Sequence, residues 1–263
     1  MLNAFLRWFA AGLPEAASSY AGQIDDGIAV IQAAMFVIFV LWGIFFAYLI
    51  IRYRKRDGAK AEREQGTHTF KSLLPDIIVM CFEIGLIAFY AIPVWSRIKI
   101  DFPNQSADPV DIRVVAQQFA WNVRYPGADG KFGRTDPKLV TSYNPIGLDR
   151  SDPAALDDVV LANEIHMPLN KTTLVHLSSL DVIHSFSVPE FRIKQDAVPG
   201  MTIPMWMKPI KTGTYELACA QLCGFAHSLM KGEVVVQTPA DYAAWLKQMA
   251  PAKPQPASSG GNF

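Results

Sequence analysis

A chain of 263 residues has room for one good-sized domain with additions, or for two small ones. It is 51% hydrophobic and only 18% charged, well below the charge of an ordinary soluble domain, which excludes a disordered chain and speaks against a purely soluble enzyme. Lys+Arg and Asp+Glu balance at 24 each, so charge makes no case for nucleic acid, and three cysteines are too few for a disulfide scaffold.

In chain order, residues 1–27 read as an exported N-terminal segment, a weak leader or an interfacial stretch, with Arg7 its only basic residue ahead of Pro14. Residues 28–51 carry no charge, and only Gln32 is strongly polar. At about 1.5 Å per residue this stretch crosses a hydrocarbon layer of roughly 30 Å, so a first transmembrane helix is expected there. A buried core helix would be shorter and would show a polar stripe. Residues 73–96 form a second apolar stretch, interrupted by Pro75, Asp76 and Glu83 but still long enough to span. Residues 52–72 between them are rich in Lys and Arg, which assigns this loop to the cytoplasm and both termini to the opposite side. Cys81 reads as a buried apolar thiol, and His68, at the cytoplasmic mouth of the second span, receives no role.

From 110 to 238 the pattern changes to short β-branched and aromatic runs, punctuated by Pro126–Gly127 and Pro199–Gly200. An all-β sandwich or barrel follows. Residues 239–250 read as a short closing helix with Thr238 as its N-cap, and 251–263, rich in Pro, Ser and Gly, as a disordered tail. No Cys-x-x-Cys-His occurs, so no c-type haem is expected. His166 and His176 fall on predicted strands and read as structural or surface residues.

The chemistry concentrates in the stretch that contains Cys219, Cys223, His227 and Met230, with His184 on a strand upstream. Thiolate, imidazole and thioether together select copper or zinc over hard cations. Zinc favours a closed set of Cys and His, whereas copper accepts a weak axial Met. Two thiolates on one loop suit a pair of bridged copper ions, each completed by one His. A Cys219–Cys223 disulfide is the alternative in an oxidising compartment.

These features resemble subunit II of haem-copper cytochrome c oxidases. The family's Asp-Val-Ile-His-Ser-Phe stands at Asp181 to Phe186, and its Lys-x-Asp-Ala-x-Pro-Gly at Lys194 to Gly200. Its Cys-x-Glu-x-Cys-x3-His-x2-Met is matched except for Gln221 at the Glu position. The resemblance implies a two-helix transmembrane hairpin carrying a cupredoxin-like sandwich over 110–238. It also implies a dinuclear copper (CuA) centre held by His184, Cys219, Cys223, His227, Met230 and the Gln221 backbone carbonyl. The family's Glu side chain further binds magnesium or manganese at the boundary with subunit I. The amide oxygen of Gln221 is a weaker ligand for such a cation.

In the family's Gln-Trp-x-Trp the first Trp is where electrons enter. Phe119 stands there in this chain, and Trp121 matches the second Trp. Phe119 and Trp121 are therefore expected on one face of a strand, forming an exposed aromatic patch together with Arg124, where the family often has an acid. A basic group there favours a membrane-held donor over soluble cytochrome c. Counted back from Pro93, which matches the Pro closing the second span, Asp76 falls at the family's proton-path Glu, and Glu83 lies nearer mid-membrane. The implied function is acceptance of electrons from cytochrome c or an equivalent donor and their transfer to the haem of subunit I. The chain would sit with subunit I and other oxidase subunits in a bacterial inner membrane, its β-domain on the periplasmic side. Two rivals remain: a quinol oxidase subunit II, which has this fold without copper ligands, and a membrane-tethered copper chaperone.

Overall fold

The computed structural model describes residues 8–55, 70–102 and 109–249. Most of the basic loop and the whole C-terminal tail therefore lie outside the described residues. The chain divides into a helical unit that includes Gly22–Asp101 and a strand unit made of Pro14–Ala21 and the residues from Phe102 onward.

In the helical unit, α1 runs over Ala21–Arg52 and α2 over Phe70–Leu86; a π-helical turn, Ile87–Ala91, leads into α3, Ile92–Lys99. Both continuous helices, Ala21–Arg52 and Phe70–Lys99, are long and apolar enough to cross a membrane. At 32 residues α1 measures about 48 Å, which exceeds the apolar layer. It begins at Ala21 rather than at 28 because Gln23, Asp25 and Asp26 extend the helix with polar turns. A hydropathy window registers the apolar stretch and not the helix. Pro93 sits near the start of α3, just past the π turn, so it does not close the second helix, which continues to Lys99. Large apolar side chains such as Phe39, Trp42, Phe46 and Phe89 are exposed on these helices, as expected of surfaces made for lipid or for neighbouring helices.

The strand unit is a sandwich of two five-stranded sheets. The first sheet takes β1 (Val110–Gln117), β2 (Ala120–Tyr125), β3 (Val159–Ala162), β5 (Thr173–Ser179) and β8 (Ile203–Met207), in the order β3-β2-β1-β5-β8. The second takes β4 (Glu164–Pro168), β6 (His184–Val188), β7 (Ile193–Ala197), β9 (Gly213–Cys219) and β10 (Lys231–Gln237), in the order β4-β10-β9-β6-β7. Alternation builds the core. Ile112, Val114 and Ala116 of β1 are buried, and so are Leu217 and Cys219 of β9, with the intervening positions turned outward. The two parallel pairs, β1 with β5 and β4 with β10, tie distant parts of the chain together.

Residues Pro14–Ala21, within the expected N-terminal segment, belong to the strand unit. The Ala17 amide donates to the Glu190 carbonyl at 2.8 Å, and the Ile210 amide donates to the Ala17 carbonyl at 2.9 Å. The Ser18 hydroxyl donates to the Phe191 carbonyl at 2.8 Å, so this strap is sewn to the sandwich on both sides. At the other end, α4 (Pro239–Met249) opens at Thr238, whose Oγ1 accepts from the Asp241 amide at 3.2 Å and donates to the Asp241 carboxylate at 2.6 Å. The first of these bonds satisfies one of the amides a helix start leaves open, and the second fixes the hydroxyl that accepts it. Trp245 on α4 stacks on His166 at 4.0 Å, and His166 bonds Glu164 and Gln237, which makes that histidine structural.

Candidate metal centre

Two strand ends and one loop assemble the centre. His184 opens β6 and Cys219 closes β9; these strands are neighbours, with Phe186 paired to Cys219. After Cys219 the chain loops back through a short 3-10 turn, His227–Leu229, to Met230 at the start of β10. The Cys219 amide closes the loop by donating to the Met230 carbonyl at 3.1 Å.

The side chains converge. The Cys219 and Cys223 sulfurs lie 3.8 Å apart and are not joined in a disulfide. Cys219 Sγ lies 4.0 Å from His184 Nδ1 and 3.1 Å from the Gln221 carbonyl oxygen. Cys223 Sγ lies 3.5 Å from His227 Nδ1 and 3.8 Å from Met230 Sδ. The ligand atoms of His184, Cys219 and Cys223 all fall within 4.8 Å of one another, and the three residues are buried.

This donor set fits a metal. Half the sulfur separation is shorter than a metal–thiolate bond of about 2.3 Å. Both thiolates are therefore within reach of a shared ion. Five soft or borderline donors, including a thioether, and one carbonyl oxygen are more than one tetrahedral zinc ion uses.

The electrostatics suit ligands waiting for a cation. Burial and then the neighbouring Cys219 thiol push the Cys223 thiol up to about 11. An arriving metal must displace that proton. His184 Nε2 faces Asp181 Oδ1 at 2.8 Å, which leaves Nδ1 as the lone-pair nitrogen aimed at the sulfurs. Burial works against the Asp181 charge, but hydrogen bonds from His184, the Gln118 amide and the Val182 amide outweigh it and hold the carboxyl below its ordinary range.

Two residues given no role above enter here, Asp181 and Gln118. The Gln118 amide donates to Asp181 at 2.7 Å, and its side-chain Nε2 donates to the Cys223 carbonyl at 2.6 Å. Gln118 and Phe119 form the turn between β1 and β2, so this turn clamps the carboxylate behind His184 to the cysteine loop. Gly224 permits the contact: its φ is +145°, and a Cβ there would meet Gln118 Nε2 at 2.8 Å and the Phe119 ring at 3.0 Å. Both clamping residues lay inside motifs already quoted. Their role was hidden because it depends on a turn meeting a loop about a hundred residues away.

The expected aromatic patch is corrected. Trp121 is fully buried, its ring edge-on to Phe186 at 5.6 Å and to His184 at 6.2 Å, so it backs the histidine from the interior. Phe119 lies in the turn, where strand alternation does not apply, and is half-buried. It packs edge-on at 5.1 Å against Phe225, which is 97% exposed. Arg124 is not at the surface either, being buried beside Asp158. The Gln221 side chain is exposed beside the loop. Asp76 and Glu83 lie two turns apart on one face of α2, along a groove shared with Trp42 and Pro75.

A family model described as the periplasmic domain of cytochrome c oxidase subunit II matches residues 110–238. The chain is 37% identical over 230 residues to the alternative cytochrome c oxidase subunit 2 of Bradyrhizobium diazoefficiens, covering 86% of this chain and 80% of that one. It is 31% identical over 273 residues to cytochrome c oxidase subunit 2 of Thermostichus vulcanus, covering 90% and 78%. It is 30% identical over 254 residues to cytochrome c oxidase subunit 2 of Cereibacter sphaeroides, covering 90% and 79%.

Proposed function

This chain belongs to the cytochrome c oxidase subunit II family, a component of haem-copper oxidases, and from that premise we propose that it is the electron-accepting subunit. It takes electrons from cytochrome c or an equivalent donor and delivers them to the haem of subunit I, where oxygen is reduced. One observation carries this reading: His184, Cys219, Gln221, Cys223, His227 and Met230 bring six donor atoms to one place. Cys219 and Cys223 would bridge two copper ions, with His184, His227, Met230 and the Gln221 carbonyl completing the set. Copper held there supplies one-electron redox chemistry.

The chain's own residues fix the setting. Asp181 orients His184, and Gln118 ties that carboxylate to the cysteine loop. Trp121 and Phe186 fill the space behind His184 and keep water from it. Leu222, Phe225 and Leu229, each more than three-quarters exposed, form an apolar rim over the loop suited to contact with a partner. Phe225 packed edge-on against Phe119 supports this rim as the place where electrons enter. With Arg124 buried, its charge does not weigh against soluble cytochrome c. At Gln221, a magnesium or manganese ion at the subunit I boundary would meet an amide in place of a carboxylate. Asp76 and Glu83, on one face of an apolar helix, are assigned to a proton path shared with subunit I.

Stopped-flow reduction of the copper centre by reduced cytochrome c tests the electron-accepting role. Phe225→Ala is expected to slow uptake roughly tenfold, the scale of losing one aromatic anchor, and Phe119→Ala to slow it less, with the copper spectrum of both unchanged. Unchanged rates in both variants contradict the aromatic contact.

The proposed orientation has the β-domain on the periplasmic side of a bacterial inner membrane and the basic loop in the cytoplasm. Protease added to intact spheroplasts is expected to digest the β-domain and spare the loop; digestion only after lysis reverses the orientation.

A further inference from the structure

Three bases lie side by side on the outer face of the first sheet. Arg113 on β1 is in register with His176 on β5 and with Arg124 on β2. Like charges directly opposite one another on neighbouring strands repel, so such a row needs compensation. Two of the bases have it: Asp158 accepts from Arg124 Nε at 3.0 Å, and Asp111 lies 3.0 Å from His176 Nε2. Arg113 has no ion pair among the described residues. Its guanidinium sits 4.3 Å from the centre of the Phe132 ring. Burial and then the Arg124 charge push its pKa below the ordinary value, and the carboxylates of Asp111 and Asp158 only partly offset them.

A cavity of about 350 Å³ opens over this row. Arg113, Arg124 and His176 line it, together with Thr135, Ser178 and Thr202 and the apolar Val115, Ile146 and Leu180, and none of the lining residues is acidic. Thr135 belongs to the long β2–β3 connection, so the sheet face and that connection enclose the space together. Arg124 and His176 are held by Asp158 and Asp111, so Arg113 is the guanidinium left to a ligand, and an arginine fork grips a carboxylate or phosphate with two parallel hydrogen bonds. The volume exceeds that of one phosphate and falls in the lower range of small-molecule sites.

We infer that this cavity binds a compact, multiply charged oxyanion, phosphate or a small polycarboxylate, with Arg113 as its anchor. None of its lining residues belongs to the metal centre, and the inference does not depend on the copper reading.

Equilibrium dialysis of radiolabelled inorganic phosphate against the full chain in detergent tests it, with citrate as competitor. One saturable site per chain is expected. Arg113→Gln should weaken binding at least about tenfold, the scale of a hydrogen bond to a charged group, and Ser178→Ala should weaken it less. Arg134→Gln, at an exposed arginine outside the cavity, should leave it unchanged. Citrate that displaces phosphate with the same sensitivity to Arg113→Gln identifies a polycarboxylate site; phosphate that citrate fails to displace identifies a phosphate site. An unchanged unfolding midpoint and copper spectrum in Arg113→Gln separate lost binding from lost folding. Absence of saturable binding by both anions, or equal affinity in Arg113→Gln, overturns the inference.

Discussion

Replacing Cys223 with serine is expected to abolish the shared copper signal and to stop electron delivery to oxygen. The Cys223 sulfur is the hub of the ring, within 3.8 Å of the Cys219 sulfur, His227 Nδ1 and Met230 Sδ. A serine hydroxyl is harder and far less acidic than a thiol, so it does not bridge two soft ions. The loss should exceed the roughly 10–100-fold that follows from altering an outer partner of a ligand. Asp181→Asn provides that comparison, because it keeps the shape behind His184 and removes the charge. Copper content and donor-to-oxygen turnover, measured on the purified oxidase, check both variants. A Cys223→Ser chain that retains two coppers and full turnover contradicts the bridging role.

Asp158→Ala is expected to be strongly destabilising to the strand unit. Asp158 is fully buried and the Arg124 side chain is 2% exposed. Asp158 Oδ2 also accepts from the Gly133 amide at 3.0 Å, so one carboxylate fastens β2 to the connection that follows it. Removing it strands a guanidinium away from water, at a cost of about 3–5 kcal/mol. Arg134→Ala, which breaks the exposed pair with Asp149, should leave the unfolding midpoint almost where it was. Thermal unfolding of the two variants side by side checks this, and equal midpoints would show that burial of the Arg124–Asp158 pair carries no stability.

What the sequence made legible was local. The two apolar stretches were visible because helices of this length and hydropathy stand out even where, as at Pro75, Asp76 and Glu83, the apolar run is interrupted. The strand 213–219 was visible because its burial alternates, and the metal centre because four of its side chains come from a dozen consecutive residues. What stayed hidden was non-local or broke a period. Counting by twos from Phe119 to Trp121 ran through a turn, where alternation stops, and so put a buried tryptophan on the surface. Arg124 read as exposed because charged residues usually are, while its partner lies 34 residues downstream. The strap at Ala17 and Ser18 meets residues some 170 positions away, and nothing local marks it. Gln118 and Asp181 were in view, but their joint hold on His184 required the folded contact.

Electron paramagnetic resonance of the oxidised full chain, taken alongside its metal content, bears most directly on the centre built by Cys219 and Cys223. Two coppers per chain and one unpaired electron divided between both nuclei are the expected result. A spectrum from a single copper nucleus, or one equivalent of zinc and no copper signal, would contradict it.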